Sequence, residues 1–171
     1  SKSIVITGAT RGLGLAMTRF FAAQGHTVHG CGRDAAAIAA LQKEFPLPHS
    51  FKALDISDDV AVSDWAREVL KNGAPDLLLN NAAIIAPNSP LWKLPASQVD
   101  PVIDINLKGT FLCSRAVGPG MVKRGWGRVI NMGSILSVIA IPGRAAYASA
   151  KAGVANLTRV LALEWAGTGV T

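Results

Sequence analysis

Apolar side chains in this chain gather in short unbroken runs rather than in strict alternation; Ile4-Val5-Ile6, Leu77-Leu78-Leu79 and Val129-Ile130 are examples. A run that is apolar at every position suits a strand covered on both faces, as in a parallel sheet. Between the runs, apolar residues recur at the three- and four-residue spacing of an amphipathic helix. The pattern predicts strands over 3–7, 27–32, 50–54, 76–80 and 128–132. It predicts helices over 12–24, 35–44, 59–71, 97–117 and 147–166. Strands alternating with helices read as consecutive βαβ units, so the expected fold class is α/β: a doubly wound parallel sheet with helices on both faces. Asp34, Ser57 and Ser97 are suitable side chains to start three of the helices. Residues 86–95 hold Pro87, Pro90 and Pro95 and read as a loop. The last helix runs into Gly167-Thr168-Gly169, and Val170-Thr171 reads as the lead-in to a further strand. A core strand would otherwise be left as an open edge, so C-terminal sequence is expected to be missing.

With 171 residues the chain is expected to form one domain, 1–171, large enough for a sizeable core. Half of the residues are apolar and 16% are charged, which excludes a disordered chain. No apolar stretch approaches the roughly 18 residues of a membrane span, and the first strand begins too early to leave room for a signal peptide. Cys31 and Cys113 lie far apart in apolar surroundings, so buried free thiols are expected, with a cytoplasmic location. The net charge of +6 comes from scattered basic residues, the nearest approach to a cluster being Lys123, Arg124 and Arg128. Without an aromatic-interleaved basic stripe no nucleic-acid partner is expected, and an anionic cofactor explains the excess equally well. No metal site is predicted.

Directly after the first strand comes Thr7-Gly8-Ala9-Thr10-Arg11-Gly12-Leu13-Gly14, with a helix following. Glycines let a strand-to-helix turn approach a pyrophosphate closely, and the helix N-terminus offers free N–H groups and a positive dipole end. Such a turn can also serve close helix–strand contact alone; the strand–turn–helix context favours phosphate. The second strand ends at Gly32 with Arg33 next, where an enzyme for the unphosphorylated dinucleotide places an acid. Two guanidiniums, Arg11 and Arg33, and no carboxylate suit a ribose 2′-phosphate, hence NADP over NAD.

Tyr147 is the single tyrosine, and Lys151 follows it one helical turn later. An ammonium at that spacing favours the phenolate and eases proton release. A surface tyrosine lying along a lysine stem has the same spacing, so the pair gains meaning from its surroundings.

Taken in order, Thr7-Gly8-x-x-x-Gly12-x-Gly14, Asp55, Asn80-Asn81-Ala82-Ala83, Asn106, Ser134 and Tyr147-x-x-x-Lys151 resemble the short-chain dehydrogenase/reductase superfamily along essentially the whole chain, 3-oxoacyl-carrier-protein reductases among its members. The resemblance implies a Rossmann-like sheet and NADP(H)-dependent reduction of a carbonyl, or oxidation of a secondary alcohol. Tyr147 would be the general acid, Lys151 its electrostatic partner and ribose ligand, Ser134 the holder of the substrate oxygen, and Asn106 the anchor of a water relay. Gly8, Thr10, Arg11, Gly12, Leu13, Gly14, Arg33, Asp55, Ile56, Asn80 and Ala82 would contact the dinucleotide, together with Tyr147 and Lys151. Asp55 would accept from the adenine amino group.

The family places Gly where this chain has Ala83, an added methyl the loop is expected to accept. The resemblance implies further strands and a substrate-covering helix after Thr171; if the molecule ends there, a catalytically inactive cofactor-binding fragment or a sensor is the alternative. Ile84, Ile85, Ile135, Leu136 and Ile141 would make an apolar substrate wall, with Arg144 at its rim, expected to be solvated rather than to meet an acidic substrate group. The resemblance further implies a small-molecule carbonyl or alcohol substrate, possibly bound to an acyl carrier that meets Lys123, Arg124 and Arg128, and a homo-oligomer, dimer or tetramer, built on the helices near 97–117 and 147–166.

Overall fold

The computed structural model describes all residues, Ser1–Thr171. Five strands, β1 (Ser3–Thr7), β2 (Thr27–Gly32), β3 (Ser50–Ala53), β4 (Leu77–Asn80) and β5 (Arg128–Asn131), form one sheet in the order β3-β2-β1-β4-β5. Every neighbouring pair is parallel, and β1 pairs on one side with β2 (Ser3 opposite Thr27) and on the other with β4 (Ile4 opposite Leu77). The strand order therefore reverses between β1 and β4, the switch point where open α/β sheets place their ligand crevice.

The helices are α1 (Gly12–Ala23), α2 (Ala35–Glu44), α3 (Asp59–Leu70), α4 (Ala96–Ile103), α5 (Gly109–Arg124) and α6 (Ala145–Glu164). On one sheet face Ile4, Ile6, Val28 and Leu79 are buried with Ile38 and Leu41 of α2 and with Leu15 and Phe21 of α1 against them. On the other, Val5, Cys31 and Leu78 are buried with Val62 and Trp65 of α3 and with Leu112, Val117 and Met121 of α5. Both cysteines are free and fully buried, and burial pushes the Cys113 thiol up to about 12. No helix is long and apolar enough to cross a membrane.

Three local expectations need correction. The helix over 97–117 is broken and longer: α4 passes into a π-helical turn, Asp104–Lys108, and α5 then runs to Arg124. Gly118-Pro119-Gly120 resembles a stop signal but lies inside α5. A Cβ at Gly118 would sit 2.7 Å from the Trp165 ring, and one at Gly120 would sit 2.8 Å from Leu70. These glycines serve close helix approach, and the true stop is Gly125 at φ +78°. Asp58, not Ser57, caps α3 through the Ala61 N–H, whereas Asp34 caps α2 as expected through Ala37. Pro95, not Ser97, precedes α4. Beyond α6, Val129 N–H donates to Thr171 O at 2.8 Å and Thr171 N–H to Gly127 O at 3.1 Å, so the last residues lie parallel along the start of β5.

His29 and His49 lie at the β2–β3 seam, where His49 Nδ1 accepts from Val28 N–H at 3.1 Å and His29 Nδ1 meets Ser50 Oγ at 2.6 Å. Burial lowers both imidazoles from the ordinary value of 6.5. As pH falls below 6.5 the unfolded chain takes up protons that the native seam resists, so this stability is present above that pH and is lost below it. Urea midpoints measured at neutral pH and near the folded-state imidazole values are expected to fall toward acid, with a shallower fall in the His29→Gln/His49→Gln double variant.

Candidate active site

The turn after β1 and the turn after β4 meet at the switch point, and a short set of hydrogen bonds fixes their separation. Thr7 Oγ1 accepts from the N–H groups of Asn81 and Ala82, both at 3.0 Å. The Asn81 side-chain amide donates back to Thr7 O at 2.9 Å and to Gly8 O at 3.3 Å. Gly8 is required twice over: its φ is +69°, and a Cβ there would lie 2.9 Å from Ala82 Cα. A Cβ at Gly14 would lie 2.0 Å from Gly8 O. Helix α1 begins after Arg11 with no side chain capping it and no acid in its first turn, so its amino end faces outward as an anion site.

That end opens onto a cavity of about 540 Å³. Its floor is the glycine turn, with Thr10, Arg11, Gly12 and Leu13; its far end is Gly32, Arg33 and Asp34; its wall is Asn81, Ala82, Ala83 and Ile84, with Leu54, Ile56 and Ile105 below. A dinucleotide fits the donor set: amide groups and Arg11 for the pyrophosphate, apolar Leu54 and Ile56 for a base. Ala83 borders the cavity with no left-handed backbone, since no residue other than glycine has positive φ, so the backbone there does not require glycine.

The charges at the far end differ from expectation. Asp34 lines the cavity as well as capping α2, so a carboxylate does stand beside the two guanidiniums. Arg33 lies 4.0 Å from Asp55 Oδ2, while Asp55 Oδ1 accepts from the Ser57 N–H and hydroxyl at 2.9 and 2.7 Å. Asn80 is directed away from the cavity: its amide donates to Ser114 Oγ at 3.0 Å and Asn131 Oδ1 at 2.8 Å, with its own Oδ1 buried and unpartnered.

A second cleft adjoins the first, lined by Arg11, Ala83, Ile84, Ile85 and Tyr147. Tyr147 is half-buried on α6. Lys151, one turn on, is 3% exposed; its Nζ donates to Met132 O at 2.6 Å and lies 5.8 Å from the Tyr147 ring centre. Desolvation lowers this ammonium below its ordinary 10.5. Asn106 sits in the π-helical turn, fully buried, where its side chain accepts from Ile84 N–H and donates to Ile84 O, both at 2.8 Å. It thereby pins the cleft wall as a neighbouring strand would. Ser134 starts the turn Ile135–Ser137, its Oγ accepting from Leu136 N–H at 3.2 Å. No protein acceptor takes the Ser134 hydroxyl proton.

Other expected features lie elsewhere. Leu136 is buried, whereas Ile135 and Ile141 are exposed. Arg144, expected to be solvated, donates to Ala86 O at 3.0 Å. Arg124 staples backbone carbonyls of Ala74, Pro75 and Trp126, and it stands with Lys2 and Arg128 around the Trp126 ring. Asn81 and Ser137 carry more of the site than sequence reasoning assigned them. The doubled Asn after β4 was the available signal for the first.

A family model described as short chain dehydrogenase matches residues 2–171. The 2-dehydro-3-deoxy-L-rhamnonate dehydrogenase (NAD(+)) of Sphingomonas sp. (strain SKA58) is 37% identical over 97% of this chain and 67% of its own length. A 3-oxoacyl-(acyl-carrier-protein) reductase of Staphylococcus epidermidis is 35% identical over 100% of this chain and 72% of its own. Serine dehydrogenase from Escherichia coli superposes with TM-score 0.93 at 32% identity, over 98% of this chain and 78% of that one. A short-chain dehydrogenase from Streptomyces avermitilis gives TM-score 0.92 at 29% identity, and the chain spans 62% of its length. The protein belongs to the short-chain dehydrogenase family of nicotinamide-dependent oxidoreductases.

The two glycines of the turn separate two kinds of constraint. Gly12→Ala meets open space but keeps φ +53°, and is expected to cost about 1–2 kcal/mol of stability. Gly14→Ala must displace backbone at 2.0 Å and is expected to cost more, above ~3 kcal/mol, with loss of dinucleotide binding. Urea denaturation and cofactor fluorescence titration measure both.

Proposed function

We propose that this protein reduces a carbonyl to an alcohol, or runs the reverse oxidation, with NADP(H) as cofactor. The observation that carries the reading is Tyr147 lining a cleft that adjoins a dinucleotide-sized cavity with an uncapped helix end, with buried Lys151 one helical turn on. Domain 1–171 acts as one dinucleotide-binding and catalytic unit.

Gly8, Thr10, Gly12, Leu13 and Gly14 would hold the pyrophosphate. Arg33, with Arg11, would meet a 2′-phosphate: its contact with Asp55 is long and exposed on both sides, hence weak, and leaves the guanidinium free to turn. Asp55, Ile56, Asn80 and Ala82 complete the assigned contacts, Asn80 through its backbone and fixing of the β4 end. A dinucleotide held there would supply the hydride for the carbonyl carbon. Tyr147 donates its hydroxyl proton to the carbonyl oxygen as negative charge grows there. The Ser134 hydroxyl, which accepts from Leu136 N–H and has its own proton free, donates a hydrogen bond to the same oxygen. The Lys151 ammonium favours the phenolate that remains. Asn106 holds the wall beside which a water relay from Lys151 to solvent would run.

The walls given by Ile84 and Ile85 suit an apolar ketone or alcohol, free or borne on an acyl carrier. The outer faces of α5 and α6 are assigned to a homo-oligomeric interface, and the buried free thiols suit a cytoplasmic setting.

NADPH oxidation with a panel of ketones tests the reading. Tyr147→Phe is expected to lower kcat by roughly 100-fold or more while NADPH binding persists. Arg33→Asp is expected to shift the kcat/KM ratio from NADPH toward NADH by at least about tenfold, one lost charged contact. Full activity in Tyr147→Phe overturns the assignment.

A further inference from the structure

Within the Ser134–Ser137 turn, Ser137 is the side chain that hydrogen-bonds to helix α6, while Lys151 Nζ holds Met132 O just before the turn. Ser137 Oγ accepts from Ser134 N–H at 3.1 Å, and its hydroxyl donates to Lys151 O at 3.0 Å. The hydroxyl's donor and one acceptor site are thus both used, on the two residues whose relative placement the proposed chemistry needs. The partners lie on separate elements, the turn Ile135–Ser137 and α6, so no regular ladder fixes their spacing. Backbone supports this turn only locally, through Ser137 N–H to Ser134 O at 2.9 Å and Val138 and Ile139 N–H to Ile135 O at 3.1 Å each. These bonds shape the turn without anchoring it to the helix.

We propose that Ser137 is a positioning residue: it sets the Ser134 backbone against the Lys151 carbonyl, and so aims the Ser134 hydroxyl at the oxygen that Tyr147 protonates. Ser134 Oγ is held from within the turn by Leu136 N–H, which orients its lone pairs and leaves its proton outward. That local bond fixes direction relative to the turn; Ser137 fixes the turn relative to α6, which carries both Tyr147 and Lys151. Without the Ser137 hydroxyl, Ser134 N–H is left with no acceptor, and the turn is held only by its local bonds, the Lys151 Nζ–Met132 O bond before it and the burial of Leu136. A displacement of about 1 Å at such a donor can cost on the order of 100-fold in rate.

The kinetic consequence rests on the proposed carbonyl reduction; the structural link does not. Ser137→Ala, Ser137→Thr and Ser137→Cys are compared with the unaltered protein. Ser134 amide exchange is read by NMR, kcat and KM by NADPH oxidation, and folding by thermal melting. In Ser137→Ala the Ser134 amide is expected to exchange at least about tenfold faster, the loss of one hydrogen bond. Its kcat is expected to fall roughly 10–100-fold with KM for NADPH within about twofold, the mark of a misplaced oxygen donor rather than a weakened cofactor site. Ser137→Thr, which keeps the hydroxyl, restores both readouts, and Ser137→Cys, a weak donor, falls between. Unchanged Ser134 exchange in Ser137→Ala overturns the link, and a kcat equal to that of the unaltered protein overturns the positioning role. If the unaltered protein turns over no carbonyl, the proposed activity fails while the exchange rates still decide whether Ser137 holds the turn.

Discussion

The site depends on how close the turn after β1 comes to the turn after β4. Thr7 Oγ1 takes two amides of the opposing turn, and the Asn81 amide spans back to Thr7 and Gly8. At 2.9 Å from Ala82 Cα there is no space for a side chain at Gly8. This contact is polar and specific in direction, unlike the apolar burial on either side of the sheet, which would tolerate small slides. It fixes the cavity mouth and brings the α1 end beside Ile84, with Tyr147 of α6 lining the cleft next to it.

The charged groups follow a consistent physical logic. Lys151 is buried against Met132 O and loses solvation that a neighbouring aromatic ring only partly replaces. A structure selected for stability alone has no reason to hold an ammonium there. The exposed ion pairs, such as Arg19 with Glu44 and Lys52 with Glu68, are half solvated on both sides and contribute little.

Much of this was legible in the sequence because it is local. The glycine turn, the apolar runs and the Tyr147–Lys151 spacing are one-dimensional signals, and the parallel sheet followed from them. What failed was decided by contacts distant in sequence. Gly118-Pro119-Gly120 carries a helix-breaking signal, yet Trp165 and Leu70 need the missing side chains for close approach, and tertiary contact overrides propensity. The π-helical turn exists so that Asn106 can reach Ile84, a pairing across 22 positions that no periodicity reveals. Asp34 was read as a cap and is one, but its position on the cavity wall follows only from the strand order. Ser137 gives no periodic signal; its meaning comes from reaching Lys151 across a loop.

All strands run the same way, so the sheet has two unlike rims. At the amino rim, Arg124 clamps three carbonyls, and Trp126 is ringed by Lys2, Arg124 and Arg128. At the carboxyl rim, the loops between β4 and α4 and between β5 and α6 carry exposed Ile85, Leu91, Trp92, Ile135 and Ile141 without bearing the register of any strand. The outer parts of these loops, beyond Ile84 in the first and beyond Ser137 in the second, can be lengthened, shortened or exchanged while the scaffold stays intact. A breeder of new specificities would graft there and leave the clamped rim alone, and natural divergence has the same freedom.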